Sequence, residues 1–152
     1  MAVTGKVFAN APLGQYGGAG DGTSQSARRV DWLNDTIKVM LCTSSYTPAQ
    51  TTHAYRSSIT NEVTGTGYTS GGATLGSKTA TKSSLVISLD AADTSWTTST
   101  ITARYAVIYK DTGSSSTDPV LGYIAFGSDQ TSTAGTFTIT WDSTGIFVYT
   151  VS

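Results

Sequence analysis

The sequence predicts an all-β fold: a single-domain antiparallel β-sandwich, jelly-roll-like, or a barrel, of about eight to ten short strands with one short helix. Three observations predict it. The back half alternates apolar and polar residues in ITARYAVIYKD, VLGYIAFG, TFTITW and GIFVYTV, so every second side chain points to one buried sheet face. Clusters of turn residues (DTGSSSTDP, GSDQTSTAG, DSTG) separate these runs at close intervals. Finally, only 12% of residues are charged while 10% are aromatic, so polarity comes from hydroxyls rather than ions and the chain is unlike a disordered one.

In chain order, GKVFA (5–9) reads as a short first strand. Pro12 to Ala27 is glycine-dense without apolar period, a surface loop, so residues 1–31 form an N-terminal arm ahead of a sandwich domain at 32–152. Thr36 to Thr43 is a strand with Ile37, Val39 and Leu41 on one face and Lys38, Met40 and Cys42 on the other. The second face is only partly polar, so cover on both sides is expected. Pro48 suits the first position of a short helical turn in SSYTPAQTTHAYRSSI. EVTGTGYTSGGATLGS (62–77) reads as a Gly-rich pair of short strands, and Ser84 to Asp90 alternates with Leu85, Ile87 and Leu89 on one face. Trp96 falls in a Thr/Ser-rich link ahead of the four back-half strands.

At 152 residues the chain is one domain that can bury a core without staples. Nine Lys plus Arg against ten Asp plus Glu give a formal net charge of −1, and Arg28-Arg29 is the one adjacent basic pair. That is too little positive charge to hold a phosphate backbone, so no nucleic-acid partner is expected. No apolar run approaches the ~20 residues of a membrane span, so no membrane partner is expected either. MAVTGKVFANAPLG lacks a basic stretch followed by an apolar one, so no leader peptide is expected and synthesis is assigned to the cytoplasm. Cys42 has no second cysteine to pair with and reads as a small strand residue.

Templates for chemistry fail one by one. His53 is the sole histidine, so a nucleophile–His–acid arrangement would have to use it, and it sits in an ordinary segment beside Tyr55 and Arg56. One Cys and one His cannot make a zinc site. Asp90 with Asp93, and Asp111 with Asp118, are the nearest approaches to calcium ligands, without the spacing of an EF-hand loop. Glu62 is the sole glutamate and nothing frames it as a proton donor. GGAGDGTS lacks the lysine of a phosphate loop, and Asn34-Asp35-Thr36 reads as a chance sequon. No catalytic residue, cofactor or metal is therefore assigned, and the chain is not expected to be an enzyme. Trp141 shares the face of Phe137 and Ile139, and Tyr105 and Tyr109 alternate with Val107, so these three belong to the core. Trp32 and Trp96 fit either a core or a sugar-stacking platform.

WLNDTIKVMLCTSSYTP, NEVTGTGYTSGGATL, and TARYAVIYKDTG leading to LGYIAFG and GTFTITWDSTGIFVYTV resemble a family of small virion structural proteins of tailed bacteriophages. The resemblance covers most of Trp32 to Val151 and does not extend to Pro12–Ala27. It implies a virion component, foremost a head decoration (cement) protein on the outer surface of the capsid. Its partners would be the major capsid protein and copies of itself, as a trimer at shell three-fold positions. It supplies no catalytic or ligand residues. The segment carrying Tyr16, Arg28 and Arg29, with Trp32 beside it, is the expected partner contact. The alternatives are a tail, baseplate or fibre component, and a carbohydrate-binding or adhesin domain using Trp32 or Trp96.

Overall fold

The computed structural model describes residues 2–15 and 28–151. Among them are nine strands: β1 (Ala2–Val3), β2 (Lys6–Val7), β3 (Ile37–Cys42), β4 (Ala73–Thr74), β5 (Thr79–Ser83), β6 (Val86–Asp90), β7 (Thr94–Lys110), β8 (Val120–Trp141) and β9 (Phe147–Thr150). They form a six-stranded sheet in the order β1-β8-β7-β3-β4, with β2 also on β8, and a three-stranded sheet β5-β6-β9. The all-β, sandwich-like single domain follows the expectation. Pairing is antiparallel except for β1, which lies parallel to β8.

Several elements differ from the sequence reading. VLGYIAFG and TFTITW are not separate strands but the two ends of the 22-residue β8, with GSDQTSTAG carried inside it. Trp96 lies within the 17-residue β7 rather than in a link. The α-helix, α1, is Asn10–Gln15, whereas the segment after Pro48 makes turns and a single 3₁₀ turn at Arg56–Ser58. There Gln50 and His53 are tied to the N-terminal segment, through Gln50 Nε2 to Val7 O (2.7 Å) and Asn10 Nδ2 to His53 O (3.1 Å), which hold a loop path.

The long β7–β8 ribbon cannot be straight. Tyr123 and Trp141 are 18 positions apart on β8, yet they pair with Lys6 and Val3, three positions apart. An extended strand of that length would span ~60 Å. Three residues reach only ~11 Å, so β8 must curl back on itself. The ring contact of Phe126 with Phe137, 6.2 Å between centroids, measures the same return. The bend has a local cause. Between Ala103↔Gln130 and Tyr105↔Ala125, the single residue Arg104 faces the four residues Phe126–Asp129. Further register shifts follow on either side of Ser99. Bulges of this kind turn a strand from one layer into the other. Thr98 (φ 50°) and Ala134 (φ 46°) take the left-handed conformation there, uncommon for residues with a Cβ.

Groups released from the ladder at the bend find new partners. Ser99 is fully buried, with Oγ within reach of Trp96 O (2.9 Å), Ser132 Oγ (2.7 Å) and Gly135 O (3.2 Å). Ala134 N donates to Thr100 Oγ1 (2.9 Å).

The curl encloses the main core: Trp96, Ile101, Phe126, Phe137, Ile139 and Trp141 from the ribbon pack with Ile37, Val39 and Leu41 of β3 and with Phe147. A second cluster forms on the opposite face of β3, where Met40 and Cys42 meet Phe8, Tyr46, Val107 and Tyr109. As expected, β3 is covered on both sides. The N-terminal residues are built into this architecture, since β1 and β2 pair with β8 and Phe8 is fully buried.

Gly122 marks a tight crossing, where a Cβ would collide with the Lys6 carbonyl of β2 and the Phe147 ring. Gly122→Val is expected to lower unfolding free energy by about 1–3 kcal/mol in urea titration. Gly76→Ala, with open space around it, is expected to stay within about 0.5 kcal/mol of the parent.

Candidate functional site

The residues singled out by the sequence separate into three groups. Arg28 is buried, donating from Nη2 to Asn10 O (2.9 Å) and lying over the Tyr55 ring at 5.6 Å. Trp32 is also buried, edge-on to Phe147 at 6.1 Å and donating from Nε1 to Asp90 O (3.2 Å). Arg28 is thus tied to α1 and Trp32 to the small sheet, and neither side chain faces outward. Arg29 is exposed, and its carbonyl accepts from Lys110 Nζ (3.0 Å). Tyr16 lies outside the described residues. Trp96 is buried against Phe137 and Tyr68. A sugar-stacking platform on Trp32 or Trp96 is therefore not formed, because both rings fill the core. Trp141 is buried as expected, with Nε1 donating to Ala92 O (3.0 Å).

The titratable side chains hold loops. Glu62 accepts from Tyr68 OH (2.8 Å), Ser70 Oγ (2.8 Å) and Gly71 N (2.5 Å), closing the Gly-rich segment. The Tyr68 hydroxyl is also the acceptor for Leu41 N (3.0 Å), which ties that segment to β3. Asp118 is fully buried and accepts from Arg56 Nε (2.7 Å), Thr112 N (2.6 Å) and Thr112 Oγ1 (2.9 Å), fixing the β7–β8 connection. Asp111, held below the ordinary carboxylate range by the Gly113 N–H and the Lys38 ammonium, pairs with Lys38 at 3.2 Å. Burial pushes the Cys42 thiol up to about 12, with Glu62 adding to the effect, so it is a packing residue with little thiolate character. Asp93 Oδ1 accepts from Trp141 N (3.0 Å). Among the described residues no cluster of three or more His, Cys, Asp or Glu could hold a metal ion.

Two surface features remain, both products of the ribbon. The first is a cleft of about 210 Å³ at the bend of β8. Phe126, Phe137 and Ile139 make its floor, with Gln130, Thr131 and Thr136 around it. The second is the ribbon's outer face, a field of exposed hydroxyls. Ser95 pairs with Thr138 (2.9 Å) and Thr102 with Thr131 (3.0 Å) across the strands. Arg104 and Asp129 on the ribbon neutralise each other at 2.8 Å. These surfaces offer hydrogen bonds and apolar contact to a neutral partner. Sequence periodicity puts Phe137 on the core face with Ile139 and Trp141 but does not bring Phe126 to it, because their approach depends on the bulge.

No protein family, curated protein or solved structure matches this chain.

Removing the buried acid should open the β7–β8 connection. Asp118→Ala leaves Arg56 and the Thr112 N–H without their acceptor and is expected to cost about 3 kcal/mol by chemical denaturation. A pH effect follows from His53. Burial lowers its folded pKa below the ordinary 6.5, and the Tyr46 hydroxyl lies 3.0 Å from Nδ1. The unfolded chain thus binds the proton more readily. Stability is complete above about pH 6.5 and falls as pH drops through the lowered folded value. Thermal melts at about pH 7.5 and about pH 5.5 should show the loss, and His53→Gln should reduce it.

Proposed function

We propose that the chain is a structural component of a tailed-phage virion, most specifically a head decoration protein bound to the outside of the capsid shell. Its partners are the major capsid protein and further copies of itself, grouped as a trimer at shell three-fold positions. The observation that carries the reading is the continuous β7–β8 ribbon, which presents a hydroxyl-rich face whose one ion pair, Arg104 with Asp129, leaves it without net charge. Such a face binds through many weak hydrogen bonds without a stored charge to neutralise. A shell multiplies one modest contact over many identical sites, so weak individual binding suffices. The polar side chains capable of proton transfer support the same reading, since Glu62, Asp118 and His53 anchor loops. The resemblance carried by Trp32 to Val151 supplies the virion context.

Of the residues expected to reach the shell, Arg29 has its side chain exposed. Arg29→Glu is expected to weaken capsid binding with an unchanged melting temperature, whereas Arg28→Ala, which empties a buried site, is expected to lower that temperature. Copy number decides the larger question. Quantitative mass spectrometry of purified virions should find this chain at an abundance comparable to the major capsid protein. A handful of copies per particle would instead make it a tail, baseplate or fibre component. Absence from the particle would end the virion reading.

A further inference from the structure

His53, the sole histidine, packs where the N-terminal segment docks on the sandwich. Phe8 is fully buried in the second core cluster, its ring 5.7 Å from the imidazole. The buried Tyr46 ring stacks on the same imidazole at 5.8 Å, and its hydroxyl lies 3.0 Å from Nδ1. Around these three rings the two segments are joined by hydrogen bonds. Ala9 N donates to Gln50 O (2.9 Å), Gln50 Nε2 to Val7 O (2.7 Å) and Asn10 Nδ2 to His53 O (3.1 Å). Phe8 N donates in turn to Leu121 O of β8 (2.9 Å). The Tyr46–His53 loop is therefore a clamp on Val7 to Asn10.

A proton on His53 works against this clamp. Neutral imidazole has one bare ring nitrogen, so Nδ1 can accept the Tyr46 O–H, whereas imidazolium carries a hydrogen on both nitrogens and can only donate. The Tyr46 hydroxyl must then accept, and its own proton has no second acceptor among the described residues. A buried donor without a partner is costly. Nothing nearby offsets the new charge. The titratable side chains around the rings are the Cys42 thiol of β3, the Tyr105 and Tyr109 phenols of β7 and the Tyr123 phenol of β8, all neutral in mild acid. Of the ions beside the clamp, Arg28 is a cation bound to Asn10 O, and Arg56 is paired with Asp118. Burial, not a charged neighbour, sets the proton affinity of His53.

We propose that His53 is a proton-operated latch: in mild acid its imidazolium loosens the joint between the Tyr46–His53 loop and Val7–Asn10, and this N-terminal segment opens while the sandwich stays folded. Opening frees Gly122 and Tyr123 of β8 from their β2 partners and empties the slot that Phe8 fills. The sign follows from linkage. The open loop binds a proton with ordinary histidine affinity and the closed one binds it less readily, so lowering the pH through that window favours the open form. The main core lies on the opposite face of β3 and has no part in the joint. The latch goes beyond the decoration reading and stands independently of it.

The test is amide hydrogen exchange of the full chain at about pH 7.5 and about pH 5, read by NMR and corrected for the intrinsic rate at each pH. The Phe8 and Ala9 amides, both bonded across the joint, are expected to open at least about threefold more often at the lower pH. The Val39 and Ile108 amides, in the main core, should keep their protection. A sole histidine gives a single imidazole titration, and its midpoint should coincide with that of the exchange curve. His53→Gln, which takes up no proton in this range, should abolish the pH dependence. Should that variant fold poorly, the two midpoints of the parent decide the matter. Exchange at Phe8 and Ala9 indifferent to pH, a midpoint apart from that of the imidazole, a response retained in His53→Gln, or an equal rise at Val39 and Ile108 would each overturn the proposal.

Discussion

The bend in the β7–β8 ribbon is the constraint on which the rest of this structure depends. A two-stranded ribbon of this length, if straight, would expose one apolar face along its entire run and bury nothing. By setting four residues of β8 against one of β7, the bulge at Phe126–Asp129 turns the ribbon so that its two halves cover each other. Trp96, Phe126 and Phe137 then share one core although they lie far apart along their strands. The turn also brings Tyr123 near Trp141, which lets a short N-terminal segment lace both ends of β8 together. Without the bend, β1 and β2 could not both pair.

The bend breaks ladder hydrogen bonds, and a buried backbone group left without a partner costs about 1–3 kcal/mol. Small hydroxyl side chains solve this locally. Ser99 and Ser132 are buried at the shift and touch each other at 2.7 Å. The short Ser99 side chain reaches the Trp96 and Gly135 carbonyls without filling the space needed by Trp96 and Phe137. Larger polar residues would not fit there, and alanine would leave the carbonyls unanswered. The abundance of Ser and Thr in this part of the chain thus has two physical roles, an inner one that satisfies the bend and an outer one that forms the hydroxyl face.

Sequence periodicity was strongest where one strand meets one core. Ile37, Val39 and Leu41 on one face of β3, with Met40 and Cys42 on the other, were readable because alternation and its partial failure both carry meaning. Trp141 was readable through Phe137 and Ile139 for the same reason. GSDQTSTAG was read as a break between strands; chemically it does redirect the chain, but it does so by a bulge within continuous pairing, which composition does not distinguish from a loop. For Trp32 and Arg28 the sequence offers no periodicity that would place them in the core. Their burial comes from Asp90, Phe147, Asn10 and Tyr55, partners remote in sequence. The cleft at Phe126 and Phe137 was invisible for a related reason, since it exists only once β8 has curled.

The two sheets divide the labour in a way the bend explains. Once the ribbon has closed on itself, its apolar residues are internal and its outer face is left to hydroxyls, giving a surface suited to many weak polar contacts. The small sheet β5-β6-β9 contributes Phe147 and part of Leu89 to the core from its base. Its tip extends past the region the ribbon can cover, so Leu85 and Val151 continue the inward-facing alternation of Ile87 and Tyr149 beyond the edge of the core. Their exposure is therefore a direct consequence of a strand pattern longer than the core beneath it.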